Sequence, residues 1–122
     1  MHLTENSELV NAENKKQLFE QWSHYWDLEK KILIEKSPPN LIKTRFLQSH
    51  FPRSTFITII RHPIAVAFAA KRFTNKRWQR SRVGLLIKHW IKCHEIYFKD
   101  KNYLKNVLEL KYKILYKNQI YI

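Results

Sequence analysis

The stretch Phe56-Ile-Thr-Ile-Ile60 runs without a spacer into Arg61-His62-Pro63 and then into the apolar segment Ile64-Ala-Val-Ala-Phe-Ala-Ala70. Its residues are β-branched or aromatic and nearly continuous in apolar character, which predicts a strand covered on both faces, as in a parallel sheet. Pro63 fits the first turn of a helix, where a missing N–H costs nothing. A strand passing directly into a helix is half of a βαβ unit. It leaves one cation, Arg61, at the carboxyl end of the strand.

The rest of the chain alternates in the same way. Residues 8 to 30 carry Leu18, Trp22 and Trp26 at helical spacing and predict an amphipathic helix. Ile32 to Ile34 predict a short strand, closed by Glu35-Lys36-Ser37 and the double proline Pro38-Pro39. A helix is expected from Pro39 and Asn40 through Phe51, and the second strand over 55–60 is followed by a helix to about residue 73. Residues 74 to 82 are polar and basic and predict an exposed loop. Leu86, Trp90, Cys93 and Tyr97 mark a long helix, and residues 105–112 offer a third strand. Strands alternating with helices imply a single α/β domain over 1–122, a three-layer α/β/α sandwich around a parallel sheet. Ligands in such folds bind beyond the carboxyl ends of the strands, so Glu35-Lys36-Ser37 and Arg61-His62 are expected to share one edge.

Charge narrows the function. The net charge is +13, and between Lys36 and His94 there are thirteen Lys or Arg and no Asp or Glu. Such a field favours a polyanionic partner. Trp78 among Lys76, Arg77, Arg80 and Arg82 either stacks on a base or sugar or covers the core. A non-enzymatic polyanion- or nucleic-acid-binding module is therefore the alternative to an enzyme. No apolar run reaches membrane-spanning length and no leader pattern opens the chain, which places it in the cytoplasm if it is complete as given. The single cysteine, Cys93, excludes an internal disulfide. His89, Cys93 and His94 do not converge on one ion from a helix, so no metal is expected and Cys93 is assigned to the core.

A helix N-terminus attracts anions, and an arginine beside it adds a forked donor suited to phosphate. Arg61 before the Pro63 helix is such an arrangement. Lys36 at the end of the adjacent strand can stabilise charge on a transferred group. Glu35 serves either as a general base or as an ion-pair partner of Lys36 or Arg61.

Taken together, IEKSPPN at 34–40, FLQSHFPRSTFITIIRHPIAVA at 46–67 and HWIKCHEIYF at 89–98 resemble the PAPS-dependent sulfotransferase family, in its EKSPPN and RHP-I-A-V group. The resemblance implies a P-loop-like fold that binds 3'-phosphoadenosine-5'-phosphosulfate (PAPS) and transfers its sulfuryl group to a hydroxyl or amine, without a metal. The acceptor is a carbohydrate, a protein tyrosine, a lipid or a small molecule rather than nucleic acid. By the same resemblance Arg61 contacts the 3'-phosphate, Lys36 and Glu35 lie near the transferred group, and Arg72, Arg77 and Trp78 face the acceptor. Three positions depart from the family pattern. No Lys-x-Gly-Thr-Thr loop occurs, the sole glycine being Gly84; Ala69 replaces the serine that partners the arginine; and the turn after the last strand reads Tyr112-Lys113-Ile114-Leu115. The expectation is an N-terminally incomplete sulfotransferase domain that does not catalyse alone.

Overall fold

A computed structural model describes residues 1–73 and 75–113. Helices pack with a small two-stranded parallel sheet, an incomplete α/β arrangement. Helix α1 spans Ala12–Ser23, and the Asn11 side chain caps it by accepting from the Asn14 N–H at 2.8 Å. It is shorter than the expected 8–30. Ser23 bonds back to the Glu20 carbonyl at 2.7 Å, and the chain then turns so that the Trp26 indole donates to the Ile34 carbonyl at 2.8 Å.

That carbonyl lies in the segment expected as the first strand. Residues 32 to 34 pair with no strand among the described residues, and Ile32 and Ile34 are exposed. The expected helix from Pro39 is likewise divided. Pro38 and Pro39 lack N–H groups, so the chain makes a tight 3-10 turn over Pro38–Ile42, breaks at Lys43 (φ −130°, ψ 13°), and then forms α2 over Thr44–His50.

Strand β1, Phe56–Ile60, leads into α3, Pro63–Phe73, as expected. The segment expected as a loop instead contains a short helix, α4, over Lys76–Arg80. Asn75 caps it by accepting from the Trp78 N–H at 3.2 Å, a local signal sufficient to start a turn in a polar sequence. Helix α5 runs from Val83 to Asp100, and β2 spans Val107–Lys111. The strands pair in parallel, Phe56 opposite Val107 through Ile60 opposite Lys111, so α3, α4 and α5 form the crossover that parallel pairing requires.

Helix α5 is the centre of the packing, meeting α3, α2 and the Pro38 turn. Leu86 and Tyr97 from α5, Ala67 from α3, and Phe46 and Leu47 from α2 make the buried core. One face of the sheet is covered through Thr58, which is buried opposite Glu109. The other face differs from expectation: Ile57 and Ile59 are 62% and 52% exposed, and Leu108 beside Ile57 is exposed as well.

The first ten residues are stapled onto this scaffold. Glu5 receives a forked ion pair from Arg45, and His2 Nε2 lies 2.7 Å from Asp100 Oδ2, a carboxylate only 2% exposed. Arg45 also reaches Asp100 at 3.5 Å and sits over the Tyr103 ring at 4.0 Å. Its guanidinium holds the Glu5 carboxyl below the usual carboxylate range.

Candidate functional site

The junction of β1 and α3 places Arg61. The strand ends at Ile60, α3 begins at Pro63, and the first helical bond runs from the Val66 N–H to the His62 carbonyl at 3.1 Å. His62 Nδ1 accepts from the Ile64 N–H at 3.3 Å. With Pro63 lacking an N–H and the Ile64 N–H taken, the helix offers fewer free amides to an anion than a glycine-rich turn would. The cation that this junction presents is the exposed Arg61 side chain.

Arg61 is exposed, and its guanidinium carbon lies 4.8 Å from the centre of the Tyr112 ring. Tyr112 follows β2 directly, so the parallel register that sets Ile60 beside Lys111 also sets Arg61 beside Tyr112. A ring under a guanidinium holds it without a carboxylate and leaves its five N–H donors available. Sequence reasoning placed Tyr112 in a terminal turn and missed this role. The only signal for it was that both residues immediately follow parallel strands. The remainder of that turn, Ile114 and Leu115, lies outside the described residues.

Beneath the strands a polar network fixes the register. The Tyr97 hydroxyl donates to Glu109 Oε2 at 3.1 Å and Lys101 Nζ donates to the same oxygen at 2.8 Å, with Glu109 opposite Thr58 in the register. Burial pushes the Tyr97 phenol up, and the Lys101 bond holds the Glu109 carboxyl down. These residues too were not singled out from the sequence.

Lys36 is exposed and Glu35 half-buried, just before the Pro38 turn that packs on α5. Among the described residues no hydrogen bond or ion pair joins either of them to Arg61, and Glu35 does not pair with Lys36. Ala69 is half-buried on α3, two turns beyond Arg61, and presents no hydroxyl. Arg72 is exposed, with its guanidinium 5.2 Å from the Phe73 ring. Arg77 is exposed on α4, while Trp78 is half-buried with its ring 4.9 Å from that of His89. Two shallow concavities, one beside Leu9 and Phe46 and one beside Arg45 and Tyr103, include none of these candidates.

Cys93 is half-buried rather than part of the core, its thiol pushed up by burial, with Sγ 3.6 Å from His89 Nε2. No group of three or more His, Cys, Asp or Glu among the described residues is placed to hold a metal. No helix among them is long and apolar enough to cross a membrane. Gly84 lies in the first turn of α5 with open space where a Cβ would be, so it serves no close backbone approach.

No curated protein and no solved structure matched the chain. The family model described as "Sulfotransferase family" matches residues 1–120, nearly the whole length. With a parallel strand pair joined through α3 to α5 and an arginine at the end of β1, the chain belongs to the sulfotransferase family.

Proposed function

We propose that this chain is one part of a PAPS-dependent sulfotransferase domain, carrying the subsite for the nucleotide 3'-phosphate and lacking the loop that holds the 5'-phosphosulfate. The observation that carries the reading is Arg61, at the carboxyl end of β1, before the α3 N-terminus and supported from below by Tyr112. A guanidinium held by an aromatic ring retains the donors that a phosphate monoester needs.

In this reading PAPS supplies a sulfuryl group to a hydroxyl or amine acceptor, the S–O bond to the 5'-phosphate breaking as the bond to the acceptor forms. Arg61 binds the 3'-phosphate. Lys36 stabilises charge on the transferred group, and Glu35 accepts the acceptor's proton. Arg72, Arg77 and Trp78 face the acceptor. Residues 1–122 form a single partial domain, and the chain alone does not turn over. Sulfuryl transfer depends on positioning the leaving group, and the sequence holds no glycine-rich turn to do so.

Calorimetric titration with adenosine 3',5'-bisphosphate tests the reading. The parent chain binds; Arg61→Ala weakens binding by about tenfold or more, and Ala69→Ser tightens it by about tenfold, the range for one hydrogen bond to a charged group. Absence of binding at millimolar ligand, or an Arg61→Ala variant that binds like the parent, removes the proposal.

A further inference from the structure

We propose that the open face of the sheet docks on an anionic lipid membrane. Strand alternation defines the face. Thr58 is buried and Glu109 bonds Tyr97 of α5, so both lie on the covered side. Their neighbours therefore share the other side, with Ile57 opposite Leu108 and Ile59 opposite Leu110. Ile57, Ile59 and Leu108 are exposed, and Leu110 is half-buried. The four make one contiguous apolar patch, and such a patch with a polar rim marks an interaction surface.

The rim carries charge of one sign. Arg53 and Lys105 precede the two strands, Arg61, Lys111 and Lys113 stand at their carboxyl ends, and all five are exposed. The one carboxylate of these segments, Glu109, lies on the covered side and is held by Tyr97 and Lys101. Among the described residues none of the five cations takes part in an ion pair. Tyr112, with Arg61 over its ring, adds an exposed aromatic with a polar tip at the end of the patch.

Charge and size select the occupant. Each chain carries +13, so a second copy seated on this face would bring two cationic rims together. Two five-residue strands, about 17 Å long and about 5 Å apart, also offer far less than the about 800 Å² per partner of a stable protein interface. A membrane needs no matching area, because the side chains enter a fluid boundary and electrostatic attraction adds to their burial. Anionic headgroups complement the rim, each Lys or Arg near such a surface strengthening binding about fivefold. The outer edges of the sheet pair with no strand among the described residues, so docking stays at the boundary of headgroups and acyl chains, where those backbone groups remain hydrated.

The inference does not depend on sulfuryl transfer or on nucleotide binding, and the variants leave Arg61 in place. The test is co-sedimentation of the chain with vesicles of equal parts phosphatidylcholine and phosphatidylserine, and with vesicles of phosphatidylcholine alone, at physiological ionic strength. The triple variant Ile57→Thr, Ile59→Thr, Leu108→Thr removes the patch and is compared with Leu28→Thr, Ile32→Thr, Ile34→Thr, three exposed apolar side chains away from the sheet. The pair Arg53→Gln, Lys105→Gln removes rim charge without touching the core and is compared with Lys15→Gln, Lys31→Gln, all four positions being exposed. Far-UV circular dichroism verifies that each variant keeps the fold. The parent is expected to bind the mixed vesicles and to bind phosphatidylcholine alone about tenfold or more weakly. The patch and rim variants each lose about tenfold or more in affinity for the mixed vesicles, and both controls lose under about threefold. No binding to the mixed vesicles, equal binding to both compositions, or losses in the controls equal to those at the sheet would each overturn the proposal. So would a parent dimer in sedimentation velocity that the patch variant dissociates, since a second copy would then cover the face.

Discussion

Tyr97→Phe measures how firmly one buried hydroxyl locks α5 under the sheet. Tyr97 is 0% exposed, and its phenol joins Glu109 of β2, which sits opposite Thr58 of β1 in the register. The substitution keeps the ring, so no cavity opens, and the change isolates the polar part of the interaction. A hydrogen bond to a charged acceptor contributes about 1.5–3 kcal/mol. Glu109 retains Lys101 at 2.8 Å and is not orphaned, which sets the loss near the lower end. A destabilisation of about 1.5–2 kcal/mol follows, or a Tm lower by about 5–8 °C for a chain of this length. Thermal melts by circular dichroism, with urea unfolding at unchanged m-value, read the effect directly. A double-mutant cycle with Glu109→Gln assigns it to the pair. A Tyr97→Phe melt superimposable on the parent, or zero coupling in the cycle, refutes the claim that this network holds the register.

Three further outcomes are expected. Leu86→Ala empties a core position 5% exposed and costs about 2–4 kcal/mol; a loss under about 1 kcal/mol in urea unfolding would mean that Leu86 is not in a packed core. Burial lowers the His94 pKa from its ordinary 6.5 although Nδ1 donates to the Trp90 carbonyl at 2.8 Å. The unfolded chain therefore takes up the proton first, and stability declines as pH falls from about 6.5 toward the lower folded value. His94→Phe flattens that limb, and an unchanged stability-versus-pH profile would contradict the assignment. Glu5 and Glu109, both lowered from 4.5, add a separate loss that begins only as pH falls below that value, and it persists in the His94 variant. The bare sheet face binds the dye ANS; Ile57→Lys with Ile59→Lys abolishes the signal while changing stability by about 0.5 kcal/mol or less per site, and undiminished fluorescence would locate the exposed apolar surface elsewhere.

The elements that were legible in the sequence are those whose signals are local. Phe56–Ile60, the Pro63 helix start, the α5 periodicity and the strand at Val107–Lys111 each follow from propensity, proline chemistry or spacing within one segment. Arg61 was legible as a candidate for the same reason, because its position depends only on the strand before it and the helix after it. The Ile32–Ile34 segment has equal β-propensity, yet a strand exists only where a partner offers backbone groups, and its Ile34 carbonyl is taken by Trp26 instead. For α4 the decisive contacts are the Asn75 cap and the His89 ring, and only the first is local.

What the sequence by itself determined is the β1–α3 junction, the α5 helix, the strand β2, the cation at the end of β1 and the acid-free stretch from Lys36 to His94. Tertiary structure decided which faces those elements cover and what each cation meets. Arg61 over Tyr112, Tyr97 bonded to Glu109, and the uncovered side of Ile57 and Ile59 all arise from the parallel register of two strands about fifty residues apart. Pairing at that separation is set by packing on α5 rather than by either strand's own residues. A one-residue slip of β2 would turn Glu109 away from Tyr97 and set Arg61 off Tyr112.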